Sequence, residues 1–185
     1  MKIKKILKGL LQLHPKSEPS TLDRIKRLLK DLNSPESKID NLIQVVGTNS
    51  KHSLIVSARE IFETAGYTCN VNISPSLRRF SERYYFSGKY ISDEELFELL
   101  IEVEKENNNK SISFHEIITA AWILHASRKK ADISIVEAGA LFRLDSSNVF
   151  QKNICSCVMP IHIDHLEFLK KGTIDEIVYE KCSHL

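Results

Sequence analysis

Residues 47–53 read GTNSKHS, so a lysine and a serine stand two positions apart just after an apolar run that ends in glycine. Holding a phosphate takes backbone N–H groups converging at a helix N-terminus, a lysine for the charge, and a Ser or Thr hydroxyl beside Mg²⁺. Lys51 and Ser53 supply the lysine and the hydroxyl. Glycine is favoured on either side of such a lysine, and here those positions carry Ser50 and His52. A residue with a Cβ held in a sparsely populated conformation costs about 1–3 kcal/mol, and an imidazole at position 52 is expected to lie where the anion should. The spacing alone leaves two readings open, a phosphate loop and an ordinary strand-to-helix turn.

Other groups could do chemistry. Glu137, in VEAG, is a carboxylate at the end of an apolar run, where it would be costly if unpaired. A metal, another cation, a helix N-terminus or an arginine such as Arg143 could satisfy it. In HIDH (162–165), two imidazoles and a carboxylate suit either a metal or simple turn chemistry. Cys155 and Cys157 share one side of a strand and are expected to be buried core thiols, since no second pair accompanies them as zinc ligands. Glu116, three residues after Ser113, reads first as half of a capping box. No glycine-flanked serine or Ser/His/Asp order suggests a hydrolase.

The elements that must position these groups alternate between strand and helix. LIQVV (42–46), YTCNVNI (67–73), ISIVEAG (133–139) and CSCVMPI (155–161) read as strands, the apolar ones as buried strands of a parallel sheet. Leu54, Ile55, Ala58, Ile61 and Phe62 make one helical face, which Gly66 closes. Ser92 with Glu95, and Ser113 with Glu116, start two further helices. Residues 76–92 are polar and turn-rich and are expected to form a long functional loop. The pattern predicts an α/β fold, an open and largely parallel sheet with helices on both faces. Such sheets bind ligands beyond the carboxyl ends of their strands. That edge would gather residues 47–53, Ser74, Glu137, Asp164 and His165.

Length and composition set the outer bounds. The 185 residues suit one domain, with a helical lead-in over 1–40 and an α/β core over 41–185. A formal net charge of +2 gives no reason to propose nucleic acid as a partner. No apolar run approaches the roughly 18–20 residues of a membrane span, so no membrane partner is expected. The basic, apolar start has Ile3, Ile6, Leu7, Leu10 and Leu11 at helical spacing, which fits a docking helix or, less simply, a membrane-surface helix. Four cysteines without framework spacing suit a cytoplasmic chain.

Taken together these stretches resemble the N-terminal ATP-binding domain of the folylpolyglutamate synthase/dihydrofolate synthase family, in the Mur-ligase superfamily. The family's GTNGKGS is GTNSKHS here, and its SPHL loop with the F-x-ERI segment is SPSLRRFSERYYFSGKYIS. Its TFFE segment is SFHE, its LEVGLGGRLDATN is VEAGALFRLDSSN, its LDH is IDH, and its EKAG is EKCS. The resemblance runs along essentially the whole chain in order. It implies a P-loop fold, ATP and Mg²⁺ as cofactors, and ATP-dependent addition of L-glutamate to folate or dihydropteroate through an acyl phosphate. Gly47, Thr48, Asn49, Lys51 and Ser53 would then bind the triphosphate, and Ser74, Glu137 and His165 the metal. Lys181 matches the lysine that the family carbamylates. Phe114, Glu116, Leu144, Asp145 and Ser146 fall in segments lining the pterin pocket. The chain departs at Ser50, His52 and Ser76, and at Leu141 and Phe142, which replace two glycines. The resemblance stops short of the family's C-terminal domain, which carries the glutamate side, so the expectation is a truncated, divergent ligase that is inactive alone. A non-enzymatic remnant and one half of a split ligase, completed by a separate chain, are the rival expectations.

Overall fold

A computed structural model describes residues 2–14, 21–183 and 185. Two helices lead in, α1 (Lys2–Leu13) and α2 (Asp23–Asp31). Strand β1 (Leu42–Val46), helix α3 (Lys51–Thr64), strands β2 (Cys69–Asn72), β3 (Tyr84–Phe86) and β4 (Lys89–Tyr90) follow. Helices α4 (Asp93–Asn107) and α5 (Phe114–Arg128), strands β5 (Ile133–Glu137) and β6 (Cys155–Val158), and helix α6 (Ile174–Cys182) complete the order. The six strands form one sheet in the order β4-β3-β2-β5-β1-β6. Strands β2, β5, β1 and β6 are mutually parallel, and β3 and β4 run antiparallel at one edge. The expected open, largely parallel sheet is what the chain forms.

Period-two alternation assigns the strand residues to two cores. Leu42, Val136, Tyr84 and Phe86 face a large cluster built with α1, α2, α4 and α5. Ile43, Val45, Ile135, Val71 and Tyr85 face the other way, onto α3 through Ile55, Leu54, Ala58 and Phe62. Helix α5 is buried on nearly every side because the sheet lies on one flank and α2 and α4 on the others, so its sequence is apolar all round. Trp122 Nε1 in its middle donates to the Val71 carbonyl at 3.0 Å. Helix α1 docks as its spacing predicts, burying Ile3 and Leu10 against α4, and His14 pairs with Glu104 at 2.7 Å.

Two expectations change. Residues 76–92 are not one long loop, because Tyr84, Tyr85 and Phe86 bury themselves as β3. Ser87 at φ 43° and Gly88 at φ 96° then make the two-residue turn into β4, a turn that needs positive φ at both positions. The aromatic run supplies the apolar surface that its charged neighbours concealed. Strand β6 is not buried either. It lies at the sheet edge, with Cys155 exposed and Cys157 half-buried, because nothing among the described residues packs on its outer side. Among those residues no helix is long and apolar enough to cross a membrane.

Candidate functional site

The register of β1, β5 and β6 brings their carboxyl ends level: Val45 lies opposite Glu137 on one side and Cys157 on the other. The chain leaving β1 is therefore pressed against the chain leaving β6. Gly47 has φ +139°, and a Cβ there would stand 2.7 Å from the Met159 Cβ and 2.9 Å from its carbonyl oxygen. Only glycine fits this contact. The Thr48 and Asn49 amides both donate to the Pro160 carbonyl, at 3.0 and 3.4 Å. The Thr48 hydroxyl accepts from the His162 amide at 3.1 Å and donates to the His162 carbonyl at 3.2 Å. This strapping fixes the loop before α3 begins.

Ser50 stands at φ 65°, in the left-handed region, and no side chain caps α3. The first-turn amides of a helix have no intrahelical acceptor, so this end presents open donors and the positive end of the helix dipole. His52 lies inside the helix and lines a separate crevice of about 320 Å³ with Ile73, Pro75, Arg79 and Glu82. Of the two lost glycines, only the one at position 50 meets a backbone that asks for glycine. The imidazole contributes to the crevice beside the residue 74–82 segment, a correction to the expectation that it fills the anion position.

Two lysines converge on one carbonyl. Lys51 Nζ donates to the Gly47 oxygen at 2.9 Å and to the Thr48 oxygen at 3.3 Å. Lys181 Nζ, from α6, donates to the same Gly47 oxygen at 3.3 Å and to the Ala140 oxygen at 2.5 Å. Lys181 is almost wholly buried, at 2% exposure. Burial and then the Lys51 charge push its pKa down, against Asp164 and Asp145. Glu137 faces Lys51 at 3.8 Å and accepts the Ser74 amide at 2.8 Å. Burial raises the Glu137 carboxyl, while the Ser74 amide, Lys51, His52 and Arg83 oppose the rise. Its partners are thus a lysine and an amide; Arg143 pairs with Glu180 at 2.9 Å.

The metal set is brought together in part. Ser74 and Glu137 touch, through the Ser74 backbone. His165, at φ 53°, sets its ring between Asp164 at 3.3 Å and Glu167 at 3.6 Å. Among the described residues no group of three or more His, Cys, Asp or Glu side chains could hold a metal. Asp164 acts instead on Lys181.

A cavity of about 180 Å³ opens beside Lys181's helix, lined by Glu116, Leu141, Arg143, Leu144, Asp145 and Ser146 among others. Glu116 closes its capping box by accepting the Ser113 amide at 2.7 Å, and Arg24 donates to it at 3.0 Å. Its other oxygen is buried with no partner among the described residues. Ser146 shares a 2.8 Å hydrogen bond with Thr119. Asp145 lies 3.4 Å from His115. Burial works to raise its carboxyl, but the His115 and Ser147 contacts hold it below the usual range. Phe114 is not at the cavity: it packs in the core, edge-on to Phe80. Phe142 is also buried, against Val46 and Ala138, while Leu141 lines the cavity. Arg24 and His115 escaped sequence reasoning. A buried capping Glu116 asks for a counter-charge, which was the available signal for Arg24.

No family model matches the chain. A dihydrofolate synthase/folylpolyglutamate synthase from Bacillus subtilis is 35% identical over 168 residues, covering 87% of this chain and 38% of the relative. Escherichia coli FolC, solved in complex with DHPP and ADP, superposes with a TM-score of 0.89 at 26% identity, covering 97% of this chain and 42% of FolC. The Yersinia pestis bifunctional enzyme, complexed with AMPPNP and a Mn ion, gives a TM-score of 0.88 at 26% identity, over 97% of this chain and 43% of the enzyme. The chain therefore spans about 40% of the length of the relatives it matches. By sequence and fold it belongs to the folylpolyglutamate synthase/dihydrofolate synthase family, of which it represents the N-terminal, Mur-ligase-type domain.

Proposed function

We propose that this chain is the nucleotide-binding portion of a folylpolyglutamate synthase-like ligase, which takes Mg·ATP on the 47–53 loop and a pteroate-type substrate in the Glu116–Asp145 cavity. One observation carries the reading: Lys51 and Lys181 both end on the Gly47 carbonyl, with Glu137 the carboxylate facing Lys51. Two ammonium groups at one buried oxygen are a site short of negative charge, and open helix amides adjoin it. A triphosphate supplies that charge. Thr48, Asn49, Lys51 and Ser53 would hold it.

The hydroxyls of Ser53 and Ser74 and the Glu137 carboxylate are oxygen donors, the kind a hard ion such as Mg²⁺ takes. A cation beside Glu137 would also relieve the burial that raises its carboxyl. His165 belongs to that set only on leaving Asp164 and Glu167. The metal, when bound, neutralises charge on the transferring phosphoryl group. Lys181, with its pKa lowered, is the more easily neutral amine, the form that carbamylation requires. In the cavity, the unpartnered Glu116 oxygen would accept an N–H of a pterin ring, and Arg143 would face a carboxylate.

Acyl-phosphate chemistry also needs water excluded and the amine oriented. The glutamate side would come from the length that the relatives have beyond this chain, as a further segment or a separate chain in the cytoplasm. Exposed Ile154, Val158, Ile163 and Phe168 fit such a cover better than a solvated remnant. Thermal unfolding with and without Mg·ATP tests the nucleotide reading. A ligand at a hundredfold excess over its Kd adds about 2.7 kcal/mol. A rise of several degrees, absent in Lys51→Ala, is the expected result, and an unmoved transition in the folded parent chain would overturn it.

A further inference from the structure

The nucleotide reading makes no use of Cys155 and Cys157. Their sulfurs stand 3.8 Å apart on β6, with Cys155 exposed and Cys157 half-buried. Strand geometry brings them to one face, because residues i and i+2 of a strand point the same way. The edge position leaves Cys155 open to solvent, while Cys157 packs half-buried at the margin of the core under α3. Strand β6 is also tied to β1 along its whole length, so the pair sits on a backbone that does not need to form on binding.

We propose that Cys155 and Cys157 form a two-thiolate site for a soft divalent cation of the zinc or cadmium class. Two sulfurs bonded at about 2.3 Å to a tetrahedral ion are themselves about 3.8 Å apart. The pair already holds that separation. A disulfide fits less well: the two Cα atoms of such a pair are about 6.6 Å apart in extended strand, at the upper end of the roughly 4.4–6.8 Å that disulfides span. Ion binding breaks two S–H bonds, releases two protons to solvent and forms two metal–sulfur bonds, with no change of oxidation state. Water or a further donor completes the coordination. The other cysteines stand apart: Cys69 is buried in the core and Cys182 ends α6.

Titrating the full chain with Cd²⁺, without nucleotide and under a phosphine reductant, reads the site through the ultraviolet thiolate-to-cadmium charge-transfer band. The expected result is a saturable band that Zn²⁺ displaces. Cys155→Ser and Cys157→Ser should each weaken binding at least tenfold, and Cys182→Ser should leave it unchanged. Circular dichroism would establish that each variant is folded. No band in the folded parent chain, or a band that survives either β6 substitution, would overturn the proposal. Because nucleotide is absent, the result stands apart from that of the Mg·ATP test.

Discussion

Ser50 and His52 both replace glycines of the family loop, yet their backbones differ, and the difference can be measured. At φ 65° Ser50 bears the left-handed penalty, about 1–2 kcal/mol for an L-residue. Replacing it with glycine returns about 0.4–1 kcal/mol of that through the freer unfolded chain. Ser50→Gly is therefore expected to gain roughly 0.5–1 kcal/mol, raising Tm by about 1–4 °C. His52→Gly places glycine inside a helix and is expected to lose up to about 1 kcal/mol. Opposite signs in thermal denaturation check the pair. Lys181 gives a pH signature. Its folded pKa lies below the ordinary 10.5, so the unfolded state binds the extra proton between the two values. The cost of burying the cation is complete below the folded pKa and disappears as pH rises towards 10.5. Denaturant titrations should show this gain in the parent chain and not in Lys181→Met.

At the scale of elements, the buried α1–α4 contact should bear on the whole lead-in. Leu10 is fully buried, and Leu10→Ala is expected to cost about 2–5 kcal/mol and to speed amide exchange along α1. Unchanged exchange would mean that the helix is not docked. The central strands and the two capping boxes were legible because each is a local signal: an apolar run in the first case, Ser followed three residues later by Glu in the second. The β3–β4 hairpin was not, since Tyr84, Tyr85 and Phe86 are flanked by arginine, glutamate and serine, and only the sheet beside them makes their burial favourable. The exposure of β6 was not legible either, for the converse reason. Its composition is that of an interior strand, but which strand ends a sheet depends on topology. The site divides along the same line. The loop follows β1 directly and Glu137 ends β5, whereas the meeting of Lys181 with Gly47 spans 134 residues and is written in no local pattern.

Across the molecule, two lysines from distant parts of the chain meet at the Gly47 carbonyl, where three parallel strands end level and α6 brings Lys181 back to them. The chain spans about 40% of its relatives' length, and under the proposed function it holds the side of the ligase that meets phosphate. Binding without turnover follows: incubated alone with Mg·ATP, L-glutamate and a folate or dihydropteroate substrate, the chain should form no ligated product detectable by mass spectrometry. The most direct test of the account is calorimetric titration of the purified chain with Mg·ATP, beside Lys51→Ala. Saturable binding to the parent, lost in a variant that remains folded, is the predicted result. No heat from a folded parent chain would contradict it, and would mean that the strapped loop and its two lysines hold no triphosphate.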